Sequence, residues 1–289
     1  MLTLAKILLP VDLSDRCAGE ARYVVPLAKH FNSEITVLHV LSPQAAYHEL
    51  EVGKTPDDTP GGRHERAKAD LEAFLGTELR NLPVARVLEA GDPATRIVEY
   101  ARAGNIGLIM MPTHGYGPFR RLLLGSVTAK VLHDADCPVW TGVHTESGPP
   151  TEPARLNHVA CAVDLGPQSA LVLDWASRIA AEFKARLSLV HVIASLDPRT
   201  ETYYFSPEWH EQMIECAKAD IETLQTGLGT SAEIHLEVGD VHKAVCSAVQ
   251  ALQADLLVTG RSAASGSSGR LPSCAYAIIR DSPCPVVSV

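Results

Sequence analysis

A chain of 289 residues is long enough for two domains of ordinary size, each burying its own core. Its composition, 46% hydrophobic and 20% charged, fits a soluble globular protein, and a formal net charge of −9 argues against nucleic acid as a partner, which needs clustered Lys and Arg. No apolar run approaches the roughly 20 residues of a membrane helix, and Met1–Lys6 leads straight into strand-like sequence. Neither a membrane span nor a signal peptide is expected.

The seven cysteines, at 17, 137, 161, 216, 246, 274 and 284, form no Cys-x-x-Cys pair, so neither a disulfide framework nor a zinc site is indicated. A reducing cytoplasm is expected. Cys137 and Cys284 each precede a proline at the start of an apolar run and read as small buried residues.

The first apolar run, 6–11, reads as a strand closed by Asp12. Ser14 then stands ready to cap a helix on which Cys17, Ala18, Ala21, Val24, Val25 and Ala28 recur at helical spacing. A second strand is expected over 35–40, ending at Val40, followed by a loop over 42–62 rich in Pro, Gly and Asp. A third strand covers 84–89. Asp92-Pro93 opens the helix after it, with an acceptor at the cap and proline just inside. The fourth strand, 107–111, runs into Met111-Pro112-Thr113-His114-Gly115, and Gly125-Ser126 opens a helix carrying Val127, Val131 and Leu132. A fifth strand is expected over 138–143. The runs are continuously apolar, as suits parallel strands covered on both faces.

The pattern then repeats. Ile7-Leu8-Leu9-Pro10-Val11-Asp12 matches Val159-Ala160-Cys161-Ala162-Val163-Asp164 at an offset of 152, and Leu38-His39-Val40 matches Val190-His191-Val192 at the same offset. Leu88-Glu89-Ala90-Gly91-Asp92 pairs with Leu236-Glu237-Val238-Gly239-Asp240, and Cys137-Pro138-Val139 with Cys284-Pro285-Val286. Four landmarks in one order mark a duplication. The counterpart strands fall at 158–163, 187–192, 234–238, 255–259 and 285–289, with a helix face of Ala170, Leu173, Ala176, Ala180 and Phe183 and a loop over 193–207. A polar, proline-rich run around Ser147–Pro153 divides the chain into domains 1–146 and 155–289 with a linker at 147–154. Alternating β and α segments give an α/β protein of two doubly wound parallel sheets.

In such sheets ligands bind beyond the carboxyl ends of the strands, where strand order reverses. Asp12, preceded by Pro10 and Val11, Val40, and the segment Met111–Gly115 all end there. Gly125, Ser126 and the amide of Val127 form a phosphate cradle: glycine allows close approach, and the first amides of a helix attract an anion. Asp12 would accept a hydrogen bond from an adenine amino group or a ribose hydroxyl. His39 and His191 read as hydrogen-bonded core residues, and Arg120 and Arg121 as phosphate contacts or a solvated helix face. No Gly-x-Ser-x-Gly elbow, Walker lysine or histidine ladder marks a catalytic or metal centre.

Val11-Asp12-Leu13-Ser14, the Leu38-His39-Val40 strand end, Thr113-His114-Gly115 nine residues before Gly125-Ser126, and Ala135-Asp136-Cys137-Pro138-Val139 together resemble the universal stress protein family, in a tandem form. The resemblance implies five-stranded sheets ordered 3-2-1-4-5 with an adenine nucleotide α-hydrolase-like fold. It implies ATP, with Mg2+, as ligand: Asp12 and Val40 at the adenine, and His114, Gly115, Gly125 and Ser126 around ribose and phosphates. It also implies a pseudo-dimer of the two domains, able to dimerise again, in a regulatory stress-response protein. Pro112 replaces the motif's first glycine and removes one amide contact. In the second half Asp164, Val192, Gly260, Ser262 and Ser273 are the weaker candidates, since Ala263 and Pro272 stand where the motif has glycine. A slow ATP hydrolase and a nucleotide-independent scaffold remain as alternatives.

Overall fold

The ten apolar runs fold as ten strands in two units, Thr3–Ala154 and Arg155–Val289. The computed structural model describes residues 2–42, 60–113, 124–143, 154–194, 207–261 and 273–289. In the first unit the order is β1 (Lys6–Val11), α1 (Asp15–Gly19), α2 (Ala21–Phe31), β2 (Glu34–Leu41), α3 (Pro60–Ala73), β3 (Val84–Ala90), α4 (Pro93–Gly104), β4 (Leu108–Met111), α5 (Ser126–Asp134) and β5 (Val139–Thr141). The second unit continues with β6 (His158–Ala162), α6 (Ser169–Phe183), β7 (Arg186–Ala194), α7 (Pro207–Leu228), β8 (Glu233–Gly239), α8 (Val241–Ala251), β9 (Leu256–Thr259), α9 (Ser273–Asp281) and β10 (Val286–Ser288).

Every pairing within each unit is parallel, and the strands run β3-β2-β1-β4-β5 in the first unit and β8-β7-β6-β9-β10 in the second. Strand order therefore reverses between β1 and β4, and again between β6 and β9. This is the expected 3-2-1-4-5 winding. The central strands are buried along almost their whole length, with Ile7, Leu8 and Leu9 of β1 and Val159, Ala160 and Cys161 of β6 fully covered. β3 and β8, at the ends of these orders, are less buried, because no strand among the described residues pairs with their outer side.

The duplication extends to backbone angles that L-residues seldom adopt. Leu13 and Leu165 have φ of 62° and 59°, Asn32 and Lys184 of 51° and 53°, and Asn105 and Gln253 of 50° each. Gly91 and Gly239 match at 140° and 139°, a region that a side chain would strain, which is why both strand ends read Gly-Asp. The aspartates that follow cap their helices as expected. Asp92 accepts from the Thr95 amide and Asp240 from the Lys243 amide, each at 3.0 Å.

Four local expectations are corrected. The single helix after Ser14 is two, α1 and α2, meeting at Glu20. Ser14 holds the cap position of α1 but makes no side-chain cap, because its hydroxyl donates to Asp12 instead. On α6, Leu173, Ala176 and Ala180 are buried as expected, but Ala170 is exposed, Phe183 is half-buried, and Val172, Trp175 and Ile179 widen the buried face. Cys284 is buried, but Cys137 is only half-buried.

Candidate functional site

The first unit's site is built where β1, β2 and β4 end. β1 pairs with β2 over six residues but with β4 only at Ile7↔Leu108 and Leu8↔Ile109. In the second unit the equivalent β6–β9 ladder runs on through Ala162↔Thr259. Pro10 stands at the position of Ala162, and proline has no amide with which to extend a ladder. The β1–β4 ladder thus stops two residues short of its counterpart.

Asp12 leaves β1 through a tight turn. Leu13 takes the left-handed conformation, an arrangement costing about 1–2 kcal/mol for a non-glycine residue. The turn is held by Asp12 Oδ1, which accepts from the Ser14 amide at 3.0 Å, from the Ser14 hydroxyl, and from the Cys17 thiol at 3.0 Å. Burial, and then the charge of Asp12, push the Cys17 thiol well above its ordinary pKa, so it stays protonated and donates. On the other side of the carboxylate's residue, His39 Nδ1 donates to the Val11 carbonyl at 2.8 Å. A carbonyl only accepts, which fixes the proton on Nδ1. Asp12 itself is exposed, and among the described residues its Oδ2 receives no hydrogen bond.

The start of α5 lies at the exit of β4. Gly125 occupies the cap position in an extended conformation, φ −60° and ψ 142°, and no side chain caps the helix. Ser126, being the first helical residue, is exposed, and Val127 is half-buried. Two bonds tie this helix start to the exit of β4: the Gly125 amide donates to the Thr113 carbonyl at 2.8 Å, and the Thr128 hydroxyl donates to the Pro112 carbonyl at 3.0 Å. Pro112 brings no amide, yet its carbonyl anchors the first turn of α5. Met111 and Val40 are buried, and the Met111 carbonyl accepts from the Gly142 amide at 3.3 Å. His114, Gly115, Arg120 and Arg121 lie outside the described residues.

The second unit repeats the aspartate half. Asp164 Oδ1 accepts from the Gly166 amide at 2.8 Å and the Ser169 hydroxyl at 3.1 Å, Leu165 is left-handed, and His191 Nδ1 donates to the Val163 carbonyl at 2.9 Å. Val192 is buried and Gly260 half-buried at the exit of β9. Ser273 is the first residue of α9, as Ser126 is of α5. Ser262, Ala263, Pro272 and the 266–269 Gly/Ser run lie outside the described residues.

Sequence reading missed the roles of Ser14, Cys17 and Ser169 in holding the aspartates. Cys17 and Ser169 sit at the same offset of 152 as their aspartates, a signal that the repeat alignment carries. Among the described residues no group of three or more His, Cys, Asp or Glu is placed to hold a metal ion, and no helix is long and apolar enough to cross a membrane.

Two tandem doubly wound units, each with an aspartate turn at the end of its central strand, define a class of α/β proteins with the adenine nucleotide α-hydrolase-like fold. The model of the universal stress protein family matches residues 3–141 and 156–289, nearly the whole chain, and the chain belongs to that family. A universal stress protein of Mycolicibacterium smegmatis is 24% identical over 276 residues, covering 92% of this chain and 90% of its own. Another from Coxiella burnetii is 34% identical over 140 residues, 47% of this chain and 96% of its own. The crystal structure of a universal stress protein from Archaeoglobus fulgidus superposes with a TM-score of 0.67 at 24% identity, covering 99% of this chain and 96% of that one.

Proposed function

We propose that the first unit binds ATP, with Mg2+, and that nucleotide occupancy sets the conformation or assembly of a regulatory stress-response protein. The observation that carries this reading is that Asp12, whose Oδ2 receives no hydrogen bond among the described residues, and the start of α5, capped by no side chain and tied to the exit of β4, both stand at the carboxyl ends of the strands where strand order reverses. The Asp12 carboxylate offers Oδ2 to a donor such as the adenine amino group or a ribose hydroxyl. The Ser126 hydroxyl and the amides of Ser126 and Val127 offer donors and a helix dipole to phosphate, with Gly125, its own amide held by Thr113, leaving room for close approach. Pro10, Val11, Val40, Met111 and Pro112 are assigned to the strand-end walls, and His114 and Gly115, outside the described residues, are assigned to the same site on the motif alone. Mg2+ would arrive with the phosphates. A second copy of the chain, or another protein, would read the change.

In the second unit Asp164, Val192 and Gly260 support a weaker site of the same kind, with Ser262 and Ser273 as its phosphate side. The bulk of the binding is assigned to the first unit.

A ligand that binds only the folded state raises its melting temperature. Mg-ATP should therefore raise the melting temperature of the wild-type chain in a concentration-dependent way, and Asp12→Ala should lose most of that shift. A second reading, a nucleotide-independent scaffold, draws on Pro112, whose amide is missing and whose carbonyl is engaged by Thr128. It predicts no shift at any millimolar concentration of Mg-ATP, and that result would replace the first reading.

A further inference from the structure

Asp12 is held from both sides by side chains bonded within the protein, and the second unit holds its aspartate in the same way. His39 Nδ1 fixes the carbonyl one residue before Asp12, at 2.8 Å, and the Cys17 thiol fixes Oδ1 five residues after, at 3.0 Å. His191 and Ser169 do the same for Asp164, at 2.9 and 3.1 Å. We propose that His39 and Cys17 are positioning residues for nucleotide binding, which hold Asp12 so that Oδ1 serves the protein and Oδ2 serves the ligand; this rests on the nucleotide reading of the first unit.

Three features support the assignment. First, the turn contains a left-handed leucine, which unassisted sequence would relax, so the bonds on either side of it have strain to oppose. Second, a free aspartate side chain rotates about its terminal bond with little preference. Bonds to Oδ1 from Ser14 and Cys17 select one orientation and spare the ligand the entropy of selecting it. Third, the position after the turn takes thiol in one unit and hydroxyl in the other, while the bond to Oδ1 persists. The requirement there is a short side-chain donor rather than thiol chemistry. Cys17 is 2% exposed and burial raises its pKa, so it acts as a neutral donor.

The test is a thermodynamic cycle on the intact chain, with Mg-ATP titrated calorimetrically and melting temperatures measured for each variant. Cys17→Ala and His39→Leu should each weaken ATP binding roughly three- to tenfold, within the range typical of coupled neighbours. Cys17→Ser, which copies Ser169, and His39→Asn, which keeps a donor at the Nδ1 position, should restore it. In an Asp12→Ala background the same substitutions should change affinity less than twofold, because nothing remains to be positioned. A merely structural role would leave their effects undiminished in that background and would follow the melting temperature instead. Either of those results, or wild-type affinity in both single variants, overturns the proposal. If the wild-type chain itself binds no ATP, the nucleotide reading falls, and the positioning role with it.

Discussion

The main-chain amide of Ala154 donates to the carbonyl of Arg22 at 3.0 Å. Arg22 lies four residues before Pro26, which sits inside α2 and has no amide to complete the helical bond to that carbonyl. Proline thus creates a vacancy on the helix, and the last residue of the first unit fills it. Ala154→Pro removes the donor and should destabilise the first unit by about 1 kcal/mol, measured by urea denaturation. An unchanged transition would show that the bond contributes nothing net.

Gly142 follows β5 with the carboxylate of Glu20, itself 4% exposed, packed directly against it. A Cβ at position 142 would overlap that carboxylate, and the burial of Glu20 leaves it little room to retreat. Gly142→Ala should therefore cost about 1–3 kcal/mol, the range for overpacking a filled interior. A midpoint equal to wild type would mean that Glu20 swings away freely.

His158 opens β6 and is 3% exposed, with Nδ1 on the Leu252 carbonyl and Nε2 on the Ser188 hydroxyl, each at 2.9 Å. Burial foremost, and also the Arg186 guanidinium nearby, hold its pKa below the ordinary 6.5, so the fold favours the neutral ring. The unfolded chain then binds the proton more readily. The contribution is complete above about pH 6.5 and is lost as pH falls through that value toward the folded pKa. Denaturation midpoints from pH 8 to 5 should decline less steeply in His158→Asn than in wild type. Parallel curves would assign the acid sensitivity elsewhere.

Asp92 behaves oppositely. The Thr95 hydroxyl, and then Lys130 at 2.9 Å, lower its pKa from 3.8 to about 2. Its contribution is present above the unfolded value and disappears as pH falls toward about 2. NMR titration of Lys130→Met should find the Asp92 pKa raised, with the Thr95 hydroxyl still keeping it below 3.8. A value unmoved by the substitution would show that Lys130 is too solvated to matter.

Much of this was legible because buried parallel strands write themselves as apolar runs. The structure places all ten strands within a residue or two of their expected positions. Helix openings at Asp92 and Asp240 were legible for the same kind of reason, since a cap is settled by neighbours three residues apart. What was not legible depends on contacts between distant segments. The β1–β4 ladder ends at Leu8 because Pro10 cannot extend it toward a strand a hundred residues away. Ser14 looked like a helix cap because Asp12, the better acceptor for its hydroxyl, is claimed only once the Leu13 turn forms.

The central claim is most directly tested by what the folded protein carries. The purified chain, denatured and run on anion-exchange chromatography, should release one adenine nucleotide per chain, and Gly125→Asp should release none. Aspartate is a good residue at that cap position, so the helix should still form while its charge repels phosphate from the first amides. Nucleotide released equally by both proteins would contradict the cradle at α5, and none from the wild type, with no melting shift in Mg-ATP, would contradict nucleotide binding altogether.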